Sequence, residues 1–164
     1  MLYQFKKEEM PPSVKLEVIK LHEEVEEFRL ALRKKDIDNL IEEGLDIIQV
    51  ILNLLKYCDQ DHVPQLKRSY GRLVMFDILD KDLGIIDRRL DDLVKEIERS
   101  LLRYYQYPYL QNETSRAIIH VVLEVLEANN VSKEMLREGI ERHNKKLRDR
   151  GWTLEPIKGV EYGY

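Results

Sequence analysis

The chain has 164 residues, of which 43% are hydrophobic and 35% are charged, and its formal net charge is −4. This composition excludes intrinsic disorder, which requires low hydrophobicity together with a high net charge. It also argues against nucleic acid as a partner, because no block of basic residues is present. With only 7 glycines and 5 prolines, the chain favours long helices over a turn-rich β fold, and we expect one all-α domain over residues 1–164.

The cysteine content predicts a cytoplasmic protein. Cys58 is the one cysteine of the sequence, so no disulfide can form within the chain, and a reducing compartment is expected. The first residues do not resemble a signal peptide. No uncharged apolar run of about 18 residues is present, so we expect no membrane partner.

The first predicted helix begins at Val14, after Ser13 as its N-cap, and ends at residues 33–35. Its apolar residues recur at steps of three and four, which is typical of one buried helical face. These residues are Val14, Val18, Leu21, Val25, Phe28 and Leu32.

The second predicted helix follows Asp36 as its N-cap and ends near Cys58. Residues 45–55 are apolar on nearly every side, which predicts that this part is buried. Gly44 lies in the middle of the helix, where glycine costs on the order of 1 kcal/mol relative to alanine. Close approach of another helix or of a ligand would explain that glycine.

The rest of the chain is expected to form four more helices, which gives a bundle of about six helices. We expect them over about residues 63–79, 83–105, 113–127 and 133–150, with a loop at 107–112. Ser132 is the expected N-cap of the last helix, and Gly151 is its expected end.

Four acidic residues are the strongest candidates for a metal site. Glu24 and Glu27 are three residues apart on the first helix, and Glu43 and Asp46 have the same spacing on the second, so each pair shares a helical face. An ionised Asp46 within an apolar helix would cost several kcal/mol unless a cation compensates it. Mg²⁺ or Mn²⁺ suits such oxygen ligands, whereas the ordinary alternative is that these acids lie on solvated helix faces.

The two acidic segments together resemble a known enzyme family. The sequence reads Glu-Glu-Val-Glu-Glu-Phe at 23–28 and Glu-Glu-Gly-Leu-Asp-Ile-Ile at 42–48, which is similar to the signature of the MazG-like all-α nucleotide pyrophosphohydrolases. The resemblance covers residues 14–57 and implies a four-helix catalytic core with extra helices. It implies Mg²⁺, with Mn²⁺ as a substitute, and a homodimer or homotetramer. The catalytic metal ligands that it implies are Glu24, Glu27, Glu43 and Asp46.

A weaker resemblance covers the basic segment 140–153, which is similar to the Asn-x-Lys-Phe-x-Arg-Arg stretch of MazG proteins. Leu147 and Asp149 depart from that pattern, which puts the class of substrate in doubt. The matching residues are Asn144, Lys146 and Arg150. The resemblance implies that Lys146 and Arg150 bind the triphosphate, and the alternative is that they only favour a helix C-terminus.

Other polar and aromatic residues have less certain roles. Asn53 has a spacing at which some MazG-type proteins carry an asparagine facing the nucleotide, although a surface position is an equal alternative. The histidines lie far apart, and none forms the Glu-x-x-His pair of di-iron bundles; they are His22, His62, His120 and His143. Trp152 could stack on a base or anchor the end of the chain.

Three functions remain open from the sequence. The first is a Mg²⁺-dependent hydrolase that converts a nucleoside triphosphate to the monophosphate and pyrophosphate by an activated water, in control of the nucleotide pool. The second is a helical protein of the same fold that senses nucleotides or binds a partner without catalysis. The third keeps the chemistry but acts on phosphoribosyl-ATP or another phosphoanhydride.

Overall fold

The computed structural model describes residues 3–5, 14–57, 91–92, 94–95 and 108–156. This part of the chain is mainly helical, as the all-α prediction requires, and includes a short two-stranded ribbon. The helices are α1 (Val14–Lys34), α2 (Ile37–Tyr57), α3 (Pro108–Ala128) and α4 (Lys133–Asp149), and the strands are β1 (Tyr3–Phe5) and β2 (Leu154–Pro156). The helix predicted at 63–79 and most of the one at 83–105 lie outside the described residues.

A tight turn joins α1 and α2 into an antiparallel hairpin. Lys35 adopts a left-handed backbone with φ of 56° and reverses the chain. Asp36 then caps α2, because its Oδ1 accepts a hydrogen bond from the backbone N–H of Asn39 at 3.2 Å. The predicted end of the first helix and start of the second are both confirmed. Residues at equal sequence distances from Lys35 therefore lie next to each other on the two helices.

The second helix forms the centre of the fold. It contacts α1, α3 and α4, so its apolar residues are covered from several sides and the predicted burial of its later part is confirmed. The buried apolar residues of this part are Leu45, Ile47, Ile48, Val50, Ile51, Leu52 and Leu54. Of the helices in the described part of the chain, none has the length and apolar character needed to cross a membrane.

Two glycines allow helices to approach α2 closely. A β-carbon added at Gly44 would lie 3.0 Å from Cγ1 of Val122 on α3 and 3.3 Å from Cε2 of Phe28 on α1. A neighbouring helix therefore accounts for Gly44, which confirms one of the two explanations offered from the sequence. At Gly139 on α4, an added β-carbon would overlap Cγ2 of Ile41 on α2.

The third helix corrects one prediction. It begins at Pro108, so the loop predicted at 107–112 and the helix start predicted at 113 are wrong. Proline has no backbone N–H and a fixed φ, and both properties suit the first turn of a helix. The proline therefore starts the helix here and does not mark a loop.

The last helix leads into the ribbon. Ser132 caps α4 as predicted, because its Oγ accepts a hydrogen bond from the backbone N–H of Met135 at 3.2 Å. The helix ends at Asp149, just before Gly151, which has a φ of 85°. Strand β2 then pairs antiparallel with β1, with Leu154 opposite Phe5. This ribbon was not expected from the sequence.

Replacing Gly139 with alanine should destabilise the protein. Ile41 is buried, and its β-branched side chain has little rotamer freedom in a helix, so it cannot easily move away from the new methyl group. Overpacking of this kind costs about 1–3 kcal/mol, against a gain of about 0.5–1 kcal/mol in helix propensity. We expect Gly139→Ala to lower Tm by several degrees in thermal unfolding.

Glu138→Ala, at the exposed neighbouring position of the same helix, is the matched control and should leave Tm nearly unchanged. A Gly139→Ala protein as stable as the wild type would mean that α2 and α4 can separate without cost.

Candidate functional site

Three acidic residues converge between α1 and α2. Glu24, Glu27 and Glu43 each offer one carboxylate oxygen, and these oxygens all lie within 4.8 Å of one another. Two features of the hairpin bring them together. Glu24 and Glu27 share a face of α1, and Glu43 lies opposite Glu27 because both are equally far in sequence from Lys35. The structure thus brings three of the four predicted metal ligands to one point.

Glu24 has an oxygen that a cation would satisfy. The residue is 4% exposed. Its Oε1 pairs with Nζ of Lys20 at 2.5 Å, whereas its Oε2 is buried without a hydrogen-bond partner in the described part of the chain. Burial raises the pKa of Glu24; the hydrogen bond from Lys20 lowers it, and the charges of Asp46 and Glu27 raise it. An unpaired buried carboxylate oxygen is costly, so this carboxylate fits a divalent cation.

Glu43 holds its proton unusually tightly. Burial raises its pKa to about 7, and the negative charges of Asp46, Glu27 and Glu24 contribute further. The carboxyl is therefore protonated in part of the molecules at neutral pH. A divalent cation placed among these residues would reverse the local charge and displace that proton.

Asp46 has a different environment from the other three acids. Its Oδ2 accepts a hydrogen bond from Nζ of Lys146 at 2.7 Å, and its Oδ1 lies 3.1 Å from Nδ1 of the buried His143. Burial alone would raise the pKa of Asp46, but its contacts with His143 and Lys146 outweigh burial and lower it. Asp46 is thus an ionised carboxylate held by α4, and its role as a fourth metal ligand stays a prediction.

Lys146 makes contacts within the protein. Besides Asp46, its Nζ donates to Oε1 of Glu42 at 2.8 Å, and the side chain is 23% exposed. Both partners are carboxylates of α2, so Lys146 ties α4 to the acidic helix. Its predicted contact with the phosphates of a nucleotide is untested.

A chain of buried polar side chains extends from Asp46 along the hairpin. Nε2 of His143 lies 3.4 Å from Oε1 of Gln49, and Nε2 of Gln49 donates to Oδ1 of Asn53 at 3.1 Å. Nδ2 of Asn53 in turn donates to Oε1 of Glu17 at 2.9 Å. Asn53, predicted to bind the substrate, is therefore a buried member of this chain, and the surface alternative for it is wrong.

A cavity of about 240 Å³ lies beside the acidic cluster. Glu24 and Asp46 border it on one side, and Glu17 and Asn53 also line it. The predicted phosphate ligand Arg150 reaches it from the end of α4. The lining residues are Glu17, Lys20, Glu24, Asp46, Gln49, Val50, Asn53, Leu147, Arg150 and Trp152. The cavity is large enough to hold a flat ring, and it shares Glu24 with the acidic cluster.

Sequence reasoning missed three of these polar residues: His143, Gln49 and Glu17. His143 occupies a core position of α4, between the buried Ile140 and Leu147, where an apolar residue would be expected. Gln49 lies on one stripe of α2 with Asp46 and Asn53 at helical spacing, within an otherwise apolar segment. Polar residues that share one face of a buried helix were the available signal.

Comparisons with known proteins give no relatives: no protein-family model matches this chain, and neither the curated proteins nor the solved structures provide a match. The similarity to the MazG-like family therefore rests on the two acidic segments and the basic segment alone.

The raised pKa of Glu43 predicts how stability depends on pH without metal. Between about pH 4.5 and 7 the unfolded chain has lost this proton whereas the folded protein keeps it, so stability should fall as pH rises through this window and level off above it. Allowing for solvent screening of a partly exposed group, the effect is about 1 kcal/mol, or roughly 2–4 °C in Tm.

The measurement is thermal unfolding in a chelator from pH 5 to 8, comparing the wild type with Glu43→Gln. The difference in Tm between the two proteins isolates this group from Glu17 and Glu24, whose pKa values are also raised. Glu23→Gln, an exposed position of α1, should keep the wild-type profile. Parallel profiles for the wild type and Glu43→Gln would contradict the prediction.

Proposed function

We propose that this protein is a Mg²⁺-dependent nucleoside triphosphate pyrophosphohydrolase, which converts a nucleotide to its monophosphate and pyrophosphate and acts in control of the nucleotide pool. The observation that carries the proposal is the convergence of Glu24, Glu27 and Glu43, together with the buried unpaired Oε2 of Glu24. The reading of the two acidic segments as a MazG-like signature supports the same activity. We propose a cytoplasmic homodimer or homotetramer.

The metal would be held by the three converging glutamates. Carboxylate oxygens suit Mg²⁺ or Mn²⁺, and such an ion, when bound, polarises a phosphoryl oxygen and lowers the pKa of a bound water. Asp46 keeps a negative charge beside the cluster because Lys146 and His143 hold it ionised.

The cations near the cavity give the phosphates a place to bind. Arg150 lines the cavity at the end of α4, and a guanidinium can bind phosphate oxygens in a bidentate manner. Lys20 lies on the opposite side, paired with Glu24. A triphosphate would therefore meet positive charge from both α1 and the segment after α4, next to the acidic cluster.

A second candidate function has its own support. Lys20 pairs with Glu24 and Lys146 pairs with Asp46, so two of the four predicted metal ligands already have a compensating positive charge. In a non-catalytic protein that senses nucleotides or binds a partner, these ion pairs would persist and would compensate the carboxylates in place of a metal ion.

Pyrophosphate release from a panel of ribo- and deoxynucleotides and phosphoribosyl-ATP, with Mg²⁺ and with Mn²⁺, tests the enzyme. We expect metal-dependent turnover of at least one substrate. Glu43→Gln should lower kcat/KM about 100-fold or more, because it removes a direct metal ligand, whereas Glu138→Gln, at an exposed position of α4 outside the cluster, should keep wild-type activity.

Two outcomes would reject the enzyme: no turnover of any substrate, or turnover that Glu43→Gln leaves unchanged. A rise in Tm on adding a nucleotide, without hydrolysis, would instead favour the sensor.

A further inference from the structure

One end of the cavity beside the acidic cluster is lined by polar residues that have no role in the proposed metal site. Glu17 and Asn53 line that end, and they are 7% and 5% exposed. Like Glu24 and Asp46, they are equally far in sequence from Lys35, so they face each other across the same hairpin. The cavity thus has one pair of polar side chains at each end.

The spacing of the two ends fits a nucleotide. Glu17 precedes Glu24 on α1 by two helical turns, and Asn53 follows Asp46 on α2 by two turns, which at the helical rise is about 10 Å. That length is comparable to the separation between the hydrogen-bonding edge of a base and the first phosphate. A nucleotide whose phosphates lie at the acidic cluster would therefore place its base edge near Glu17.

The hydrogen bonds fix what the Glu17 end can recognise. Oδ1 of Asn53 is occupied by Gln49, so the amide nitrogen of Asn53 faces Glu17 and donates to its Oε1 at 2.9 Å. Of the two carboxylate oxygens of Glu17, Oε1 is the one that accepts from Asn53. A carboxylate oxygen accepts only, so this end of the cavity offers an acceptor with negative charge.

The walls between the two ends suit a flat ring. Val50 and Leu147 contribute apolar surface, and the indole of Trp152 also lines the cavity. Aromatic side chains and apolar walls bind bases by stacking and packing. Burial raises the pKa of Glu17, whereas the hydrogen bond from Asn53 and the charge of Lys20 lower it, and a further donor from a ligand would favour the ionised form.

We propose that this cavity binds the base of a nucleotide that carries an exocyclic amino group, as cytosine, adenine and guanine do, and that Glu17 is the residue that selects it. The orientation of the nucleotide rests on the proposed function. A carboxylate accepts well from the amino group of cytosine. In uracil and thymine a carbonyl oxygen replaces the amino group, and the only Watson–Crick-edge donor lies between two carbonyl oxygens that the carboxylate would repel.

Equilibrium binding of matched nucleotide pairs tests the proposal without requiring catalysis. Calorimetry in a chelator would compare CMP with UMP, and AMP and GMP each with IMP, in ribo and deoxy forms, because each pair differs at an exocyclic amino group. We expect the amino-bearing member to bind about 10-fold or more tightly, since the other member turns a carbonyl oxygen towards the Glu17 carboxylate and offers it no amino donor.

Glu17→Gln should lower the CMP to UMP affinity ratio to one or below, because its amide oxygen accepts from Asn53 and its amide nitrogen then presents a donor to the base. Its shape is nearly unchanged, so it can still accept from Asn53, and an unchanged Tm would verify the fold. Glu138→Gln, at an exposed position of α4, is the matched control and should keep the wild-type ratio.

Three results would overturn the proposal: equal or tighter binding of UMP by the wild type, a ratio that survives in Glu17→Gln, or no binding of any monophosphate at millimolar concentration. Failure of this proposal can be distinguished from failure of the proposed hydrolase activity. Turnover of triphosphates without preference for an amino group leaves the hydrolase standing and rejects the role of Glu17. Selective binding of CMP without turnover would support the role of Glu17 and reject the hydrolase.

Discussion

The register of the α1–α2 hairpin is the constraint on which the rest of the structure depends. One tight turn at Lys35 and Asp36 sets which residues face each other along the full length of both helices. The pairs that result are Glu27 with Glu43, Glu24 with Asp46, and Glu17 with Asn53. A turn longer by one residue would shift α2 by about 1.5 Å and rotate it by roughly 100°, which would separate all three pairs at once. The acidic cluster and the polar end of the cavity thus have one structural cause.

The acidic residues of the hairpin differ in how much positive charge lies beside them, and their pKa values differ as a result. Asp46 contacts Lys146 and His143 of α4, and its pKa is lowered. Burial and the like charges of Asp46, Glu27 and Glu24 raise the pKa of Glu43 to about 7, against a smaller contribution from Lys146. Two carboxyl groups on one helix are therefore ionised over different pH ranges. Helix α4 produces this difference, because it supplies both His143 and Lys146.

Local rules predicted much of the fold and part of the site. Caps at Asp36 and Ser132 gave correct helix starts, because capping depends on a few adjacent residues. The shared helical face of Glu24 and Glu27 could be predicted for the same reason. The contact of His143 with Asp46 could not be predicted, because it depends on how α4 packs on α2, and no local pattern encodes that packing. The start of α3 was misplaced because Pro108 was read as part of a loop when it begins a helix.

The state of each carboxylate oxygen indicates which metal ligands need the least rearrangement. Oε1 of Glu24 pairs with Lys20, and its Oε2 has no hydrogen-bond partner within the part of the chain that the structure describes, so a cation could bind there while that ion pair persists. Oδ2 of Asp46 accepts from Lys146, and its Oδ1 lies 3.1 Å from Nδ1 of His143. Its recruitment to a metal would leave Lys146 without one of its two partners, and breaking a buried ion pair is costly unless another anion replaces the lost one. A substrate phosphate is such an anion. The predicted roles of Asp46 as a metal ligand and of Lys146 as a phosphate ligand are therefore coupled, and each requires the other.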